Sequence, residues 1–140
     1  HLSIRRQRQM CIRDRFHGVS DAVFSAEDTR RWIERLDQAQ DGKAADFARY
    51  FPVPGMNHCS GGPAADQFDL LTPLVQWVEQ GVAPQAVPAS VRGAGHAGGA
   101  NAELPKDWSA SRTRPLCAYP TVARYAGSGS LEDAVSFSCR

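Results

Sequence analysis

The sequence of 140 residues holds no Cys-x-x-Cys pair, and so no zinc ribbon or thioredoxin-type redox motif. It holds no Gly-x-Ser-x-Gly elbow, the strand-to-helix turn on which a serine nucleophile is usually mounted. Ser60-Gly61-Gly62 lacks the elbow pattern, and Gly127-Ser128-Gly129 reads as a turn near the C-terminus. No apolar run approaches the ~20 residues of a membrane span. The basic residues at the start are followed by no apolar core of the kind a secretory signal has. A formal charge of +1 supplies no electrostatic reason to expect nucleic acid or a membrane surface as partner.

What remains is the composition of one ordinary globular domain: 42% hydrophobic residues, a mean hydropathy of −0.40 and a length typical of a single core. Glycine and proline become frequent from Gly81 on, which predicts a loop-rich second half with a small core. Four cysteines, Cys11, Cys59, Cys117 and Cys139, in such a chain point to disulfides and an oxidising compartment. Cys117 and Cys139 bracket two strand-like runs, a separation suited to a local staple, and a loop of that size is worth roughly 3 kcal/mol. Cys59 has Cys117, Cys139 or a partner outside the chain as options, beside that of a buried free thiol.

Residues 1–15 carry Arg5, Arg6, Arg8, Arg13 and Arg15 with little apolar periodicity. The plain expectation is a basic disordered arm. The stretch from Arg5 to Arg15 also resembles translated sequencing-adaptor read-through, which places the protein's own sequence from about Phe16 and removes Cys11 from the cysteine count. Phe16 to Asp21 reads as a strand end entering a loop. A helix follows, with Ser25 as N-cap, Asp28 at the capping-box position and Trp32, Ile33 and Leu36 on its inner face. Asp41-Gly42 ends it near Gln40, and the chain returns as a strand to Val53. This strand–helix–strand unit predicts a parallel sheet with a right-handed crossover. A second helix is expected over 66–80, with Phe68, Leu71, Leu74, Val75 and Val78 at helical spacing, Pro73 in its first two turns and Gly81 closing it. Residues 87–91 read as a short strand, the rest of 82–111 as a surface excursion, and two more short strands are expected around Val122 and Val135.

The organising stretch runs from Phe51 to Gly62. An apolar strand stops at Pro54-Gly55 and delivers His58 and Cys59 side by side into a glycine-rich loop. Asp21 and His58 sit at the C-terminal ends of successive strands, which share one edge of a parallel sheet, so their side chains can meet. A carboxylate on one imidazole nitrogen fixes the tautomer and stabilises the imidazolium formed in catalysis. The plain alternatives are a solvent-exposed loop histidine and a capping aspartate. His17 reads as strand-end packing that can also shape the Asp21 loop, and His96 as a loop residue. Trp32 and Trp77 read as core residues on helix faces, and Trp108 as part of the loop-rich segment. A metal site of His17, Asp21 and His58 can be drawn, but its spacing matches no established ligand pattern.

The stretch Pro54-Gly-Met-Asn-His-Cys-Ser-Gly-Gly-Pro63, followed by Asp66-Gln-Phe-Asp-Leu-Leu71, resembles the C-terminal region of the tannase and feruloyl esterase family. The tail, Arg114-Pro-Leu-Cys-Ala-Tyr-Pro120 through Phe137-Ser-Cys139, is similar to that family's closing segment, and His17-Gly-x-x-Asp21 to its acid-bearing loop. The resemblance covers about Phe16 to the C-terminus and implies residues 16–140 of an α/β-hydrolase catalytic domain. The fold expected is its C-terminal part, parallel strands with flanking helices, incomplete and with a disulfide-stapled tail. It implies Asp21 as the acid and His58 as the base of a Ser-Asp-His triad. Cys59 would be bonded to a cysteine that precedes the nucleophilic serine upstream, and Cys117 to Cys139. The Cys-Ser nucleophile motif, the oxyanion hole and the lid with its structural calcium are absent from these residues, so the segment needs no cofactor of its own and is not expected to catalyse alone. The implied parent is a secreted or periplasmic serine esterase acting on small phenolic esters, gallate or hydroxycinnamate. The competing expectation is a non-catalytic, disulfide-stapled binding module.

Overall fold

The computed structural model describes residues 12–140. Strand β1 (Arg13–Gly18), helix α1 (Ala26–Ala39) and strand β2 (Ala48–Val53) build the expected strand–helix–strand unit. The strands are parallel, in register from Arg13 opposite Ala48 to Gly18 opposite Val53. The division expected after residue 15 therefore falls inside β1: Arg13, Asp14 and Arg15 are strand residues, paired with the apolar β2. Their charge hides the strand locally, because pairing with a buried neighbour rather than their own periodicity makes them extended. The remainder of the basic arm, with Cys11, lies outside the described residues.

Helix α1 turns Ile33 into a small core with Ala48 and Tyr50, and Trp32 and Leu36 pack at its margin. Ser25 holds the N-cap position, but its side chain makes no capping bond, so the expected capping box does not form. The exposed face carries Arg30 and Arg31 against Glu27, and the two guanidiniums hold the Glu27 carboxyl down to about 2. Such exposed pairs contribute little to stability.

Beyond β2 the architecture departs from the expected helix over 66–80. Gln67–Phe68 form a short strand β3, and helix α2 spans Leu71–Gln80. Asp66 is engaged across the chain with Arg92, and Asp69 instead receives the N–H groups of Leu71 and Thr72 at 2.8 and 3.1 Å. Pro73 thereby falls in the first turn, where its missing N–H has no intrahelical partner to lose. The inner face is Trp77, buried beneath Arg49 with the guanidinium 4.8 Å from the ring centroid. Leu71 and Val78, expected inside, are 70% and 60% exposed.

β3 joins β4 (Ala86–Ser90) and β5 (Thr113–Cys117) in an antiparallel sheet. β5 was not evident from the sequence, since Pro115 interrupts a short run. The main core lies where this sheet meets β2 and the His58 loop, with Phe51, Val53, Met56 and Val87 fully buried. Val91, in the expected strand, belongs to that core, and the segment expected to be a surface excursion packs Leu104 and Trp108 against it. At the tail, β6 (Ala123–Tyr125) and β7 (Phe137–Cys139) pair antiparallel, and the Cys117–Cys139 disulfide ties β7 to the end of β5 across a Cα–Cα distance of 5.5 Å.

Candidate active site

The parallel pairing of β1 and β2 brings their C-terminal ends to one edge, and the loops leaving that edge are in contact. Val19 N–H donates to Val53 O at 3.0 Å and Ser20 N–H to Met56 O at 3.0 Å. Gly18 permits the approach: a Cβ there would lie 2.3 Å from Asn57 O.

Asp21 sits in the first loop with its carboxylate 4% exposed. Oδ1 accepts the backbone N–H groups of Val23 and Phe24 at 2.7 and 3.0 Å. Oδ2 accepts from His58 Nδ1 at 2.9 Å and His17 Nε2 at 3.2 Å. Enclosure alone would raise this carboxyl, but the bonds from His58 and from the Phe24 and Val23 amides hold it well below the usual carboxylate range. A carboxylate in that state only accepts, so the proton bonded to it resides on His58 Nδ1 and on His17 Nε2. His17 Nε2 also faces Phe24 O at 3.2 Å, and its Nδ1 is then free to accept from Thr29 Oγ1 at 2.7 Å.

His58 is thereby oriented with Nδ1 toward Asp21, and Nε2 has no hydrogen-bond partner among the described residues. Its side chain is 45% exposed. Phe24 flanks the ring with centroids 5.4 Å apart. Exposed Val19, Val23 and Phe24 make the rim beside it apolar. An imidazole with one nitrogen fixed by a carboxylate and the other open can take a proton from a hydroxyl and return it to a leaving group.

The two histidines turn ring nitrogens toward one carboxylate oxygen at hydrogen-bond distance, and among the described residues no group of three or more His, Cys, Asp or Glu side chains is arranged to hold a metal ion. Cys59, beside the histidine, is exposed, in the left-handed conformation with φ 63°, and in no disulfide among the described residues. Cys117 and Cys139 are joined to each other. His96 is exposed in its glycine loop.

Sequence reasoning missed what lies behind the His58 loop. Gly61 N–H donates to Asp66 Oδ2 at 2.8 Å, and the same oxygen accepts from Arg92 Nη2 at 3.0 Å and Nε at 3.1 Å. Gly62 N–H donates to Glu103 Oε2 at 2.8 Å, and Asn57 Nδ2 to Glu103 Oε1 at 3.1 Å. Asn101, itself buried, donates through Nδ2 to Gly62 O at 2.8 Å. The only local signal was chemical: single Arg, Asn and Glu residues in an otherwise Gly- and Ala-rich segment.

Comparison with known proteins places this geometry in a family. The family model described as tannase and feruloyl esterase matches residues 14–140. Over 124 residues the chain is 53% identical to mono(2-hydroxyethyl) terephthalate hydrolase of Piscinibacter sakaiensis, covering 89% of this chain and 19% of that protein. It is 31% identical to probable feruloyl esterase B-2 of Neosartorya fischeri, over 89% of this chain and 25% of the relative. The chain thus spans about a fifth to a quarter of the length of these curated relatives. Among solved structures, an esterase from Aspergillus oryzae superposes with a TM-score of 0.72 at 26% identity, over 91% of this chain and 27% of that one. Feruloyl esterase B from Aspergillus oryzae gives 0.66 at 27% identity, over 91% and 26%. The chain belongs to the tannase and feruloyl esterase family, and its paired parallel strands, flanking helices and disulfide-stapled tail are part of an α/β-hydrolase fold.

Proposed function

We propose that this chain is the C-terminal segment of a serine carboxylic ester hydrolase, carrying the acid and the base of its triad. The observation that carries the reading is the His58 imidazole, held by Asp21 through Nδ1 at 2.9 Å with Nε2 open. A serine hydroxyl supplied by the preceding part of the protein would attack the ester carbonyl while His58 Nε2 takes its proton. The tetrahedral intermediate collapses as that proton passes to the leaving alcohol, and water repeats the cycle on the acyl-enzyme. Asp21 stays ionised throughout and stabilises the imidazolium. Without the serine and an oxyanion hole these residues are inactive alone.

The substrates proposed are small esters of aromatic acids, gallate or hydroxycinnamate esters in the first place. A mono-ester of terephthalate is the second reading, favoured by the 53% identity to the Piscinibacter sakaiensis hydrolase. The apolar rim of Val19, Val23 and Phe24 beside His58 suits an aromatic acyl group. Cys59, exposed at the loop tip, is assigned to a disulfide with a cysteine beside the nucleophile, which would hold the serine and histidine loops together. The disulfide at Cys117–Cys139 fits a secreted or periplasmic protein. The calcium that the family resemblance places in the lid has no fitting donor set among the described residues, and no step here depends on it. A binding module without a triad would leave the Asp21–His58 pair without a task.

The test is hydrolysis of methyl gallate, methyl ferulate and mono(2-hydroxyethyl) terephthalate by the complete enzyme and its His58→Ala and Asp21→Asn variants. Loss of the base is expected to abolish turnover. Asp21→Asn, whose amide favours the imidazole tautomer with the proton on Nε2, is expected to lower kcat by roughly 10⁴. Undiminished hydrolysis by the His58→Ala variant would overturn the assignment.

A further inference from the structure

The His58 loop is gripped from behind by a single strap of chain that begins where β4 ends. We propose that Glu103, presented by this strap, is a positioning residue for His58, which it serves through the loop backbone rather than by touching the reacting atoms. The inference rests on the ester hydrolase reading of the same site.

The loop needs an external hold. Its residues Cys59, Gly61 and Gly62 all lie at positive φ, 63°, 77° and 72°, so no regular backbone ladder runs through it. Its internal bonds are few: Ser60 N–H to His58 O at 2.9 Å, Asn57 N–H to Gly61 O at 3.3 Å and Ala64 N–H to Gly62 O at 2.8 Å. Glu103 closes the loop by accepting from both of its arms, from Asn57 Nδ2 at 3.1 Å immediately before His58 and from Gly62 N–H at 2.8 Å four residues after it. One carboxylate therefore spans the base of the turn whose tip is the imidazole.

Glu103 is itself held. Its N–H donates to Asn101 Oδ1 at 3.0 Å, while Asn101 Nδ2 donates to Gly62 O at 2.8 Å, so the strap engages both the N–H and the C=O of Gly62. Asn101 N–H in turn donates to Arg92 O at 2.8 Å, and the Arg92 guanidinium reaches Asp66, the acceptor for Gly61 N–H. The far end of the strap is closed where Val91 N–H donates to Arg112 O at 3.0 Å. The chain of contacts from the sheet to the imidazole is continuous, and a charged acceptor for a backbone N–H makes a short, strong bond. Displacing an imidazole by about 1 Å is enough to lower turnover roughly a hundredfold, which a slack loop would allow.

The test compares Glu103→Ala and Glu103→Gln in the complete enzyme, with p-nitrophenyl acetate as probe. Gln keeps one acceptor oxygen for Gly62 N–H; Ala keeps none. Glu103→Ala is expected to lower kcat roughly tenfold to a hundredfold with KM within about twofold, and Glu103→Gln to recover most of the loss. A kcat unchanged in Glu103→Ala, with only the melting temperature lowered, overturns the proposal, as does a Gln variant as impaired as the Ala variant. A second arm needs no activity: the downfield NMR signal of the His58 Nδ1 proton, bonded to Asp21, is expected to broaden or vanish in Glu103→Ala and persist in Glu103→Gln. An undisturbed signal in Glu103→Ala overturns the positioning role. A wild type that shows this signal but hydrolyses no ester overturns the ester hydrolase reading instead, and the NMR arm then decides the role of Glu103.

Discussion

Asp66→Asn tests whether the support behind the histidine loop is electrostatic. The Asp66 side chain is wholly buried and Arg92 is 21% exposed, and the carboxylate accepts from Gly61 N–H, from Arg92 through two nitrogens, and from Gln67 Nε2 at 3.2 Å. Burial alone would push its carboxyl upward. The Arg92 guanidinium, the Gly61 amide and the Gln67 amide outweigh that and hold it below the usual carboxylate range. Asparagine is nearly isosteric but neutral, and its NH₂ cannot accept. It leaves Arg92 without a counter-charge in a mostly enclosed site, a change worth about 3 kcal/mol. Urea unfolding of the complete protein at neutral pH reads this difference. The sign with pH follows from linkage: a carboxyl depressed in the folded state contributes stability that is present above its unfolded value, near the 3.8 of a free Asp, and is lost as pH falls through the folded value. The stability gap between wild type and variant is therefore expected to be flat above about pH 5 and to shrink toward more acid pH. A gap below about 1 kcal/mol, or one constant from neutral pH down to pH 3, refutes the ion-pair account and leaves only packing.

Gly62→Ala and Gly81→Ala separate backbone strain from collision. Both glycines have φ near +72°, but a Cβ on Gly62 would lie 2.1 Å from Gly55 O, while one on Gly81 meets nothing within 4 Å. Gly81→Ala is expected to lose about 1 kcal/mol with activity retained, and Gly62→Ala to lose more stability and most ester hydrolysis, read by thermal unfolding and turnover. Replacing Cys117 and Cys139 together by serine releases a loop closed across 22 positions and is expected to lower stability by roughly 3 kcal/mol, read by urea unfolding against the oxidised wild type.

The two residues proposed as acid and base were readable because their signals are local. A strand that stops at Pro54-Gly55 before a histidine, and one that stops near Gly18 before an aspartate, place both side chains at one edge of a parallel pair. The helix α1 was readable for the same reason, since its apolar period is carried by its own residues, although the capping role of Ser25 was not. The second helix was misplaced because Asp66 satisfies Gly61 and Arg92 instead of starting a helix, and its partner lies 26 residues away. Leu71 and Val78 have helical spacing, yet which stripe is buried was decided by Trp77 packing under Arg49.

By itself, then, the sequence determined the strand–loop placement of Asp21 and His58, the helical period of α1 and the pairing partners available to its cysteines. Only the tertiary structure decided that Arg13 to Arg15 extend a strand, that β5 exists, and that a Gly-rich strap carries Arg92, Asn101 and Glu103 to the histidine loop. The physical reason is range. Periodicity and turn chemistry act over a few residues, whereas the acceptors of Gly61 and Gly62, at Asp66 and Glu103, are chosen by which chain segments the core brings together, 5 and 41 residues away.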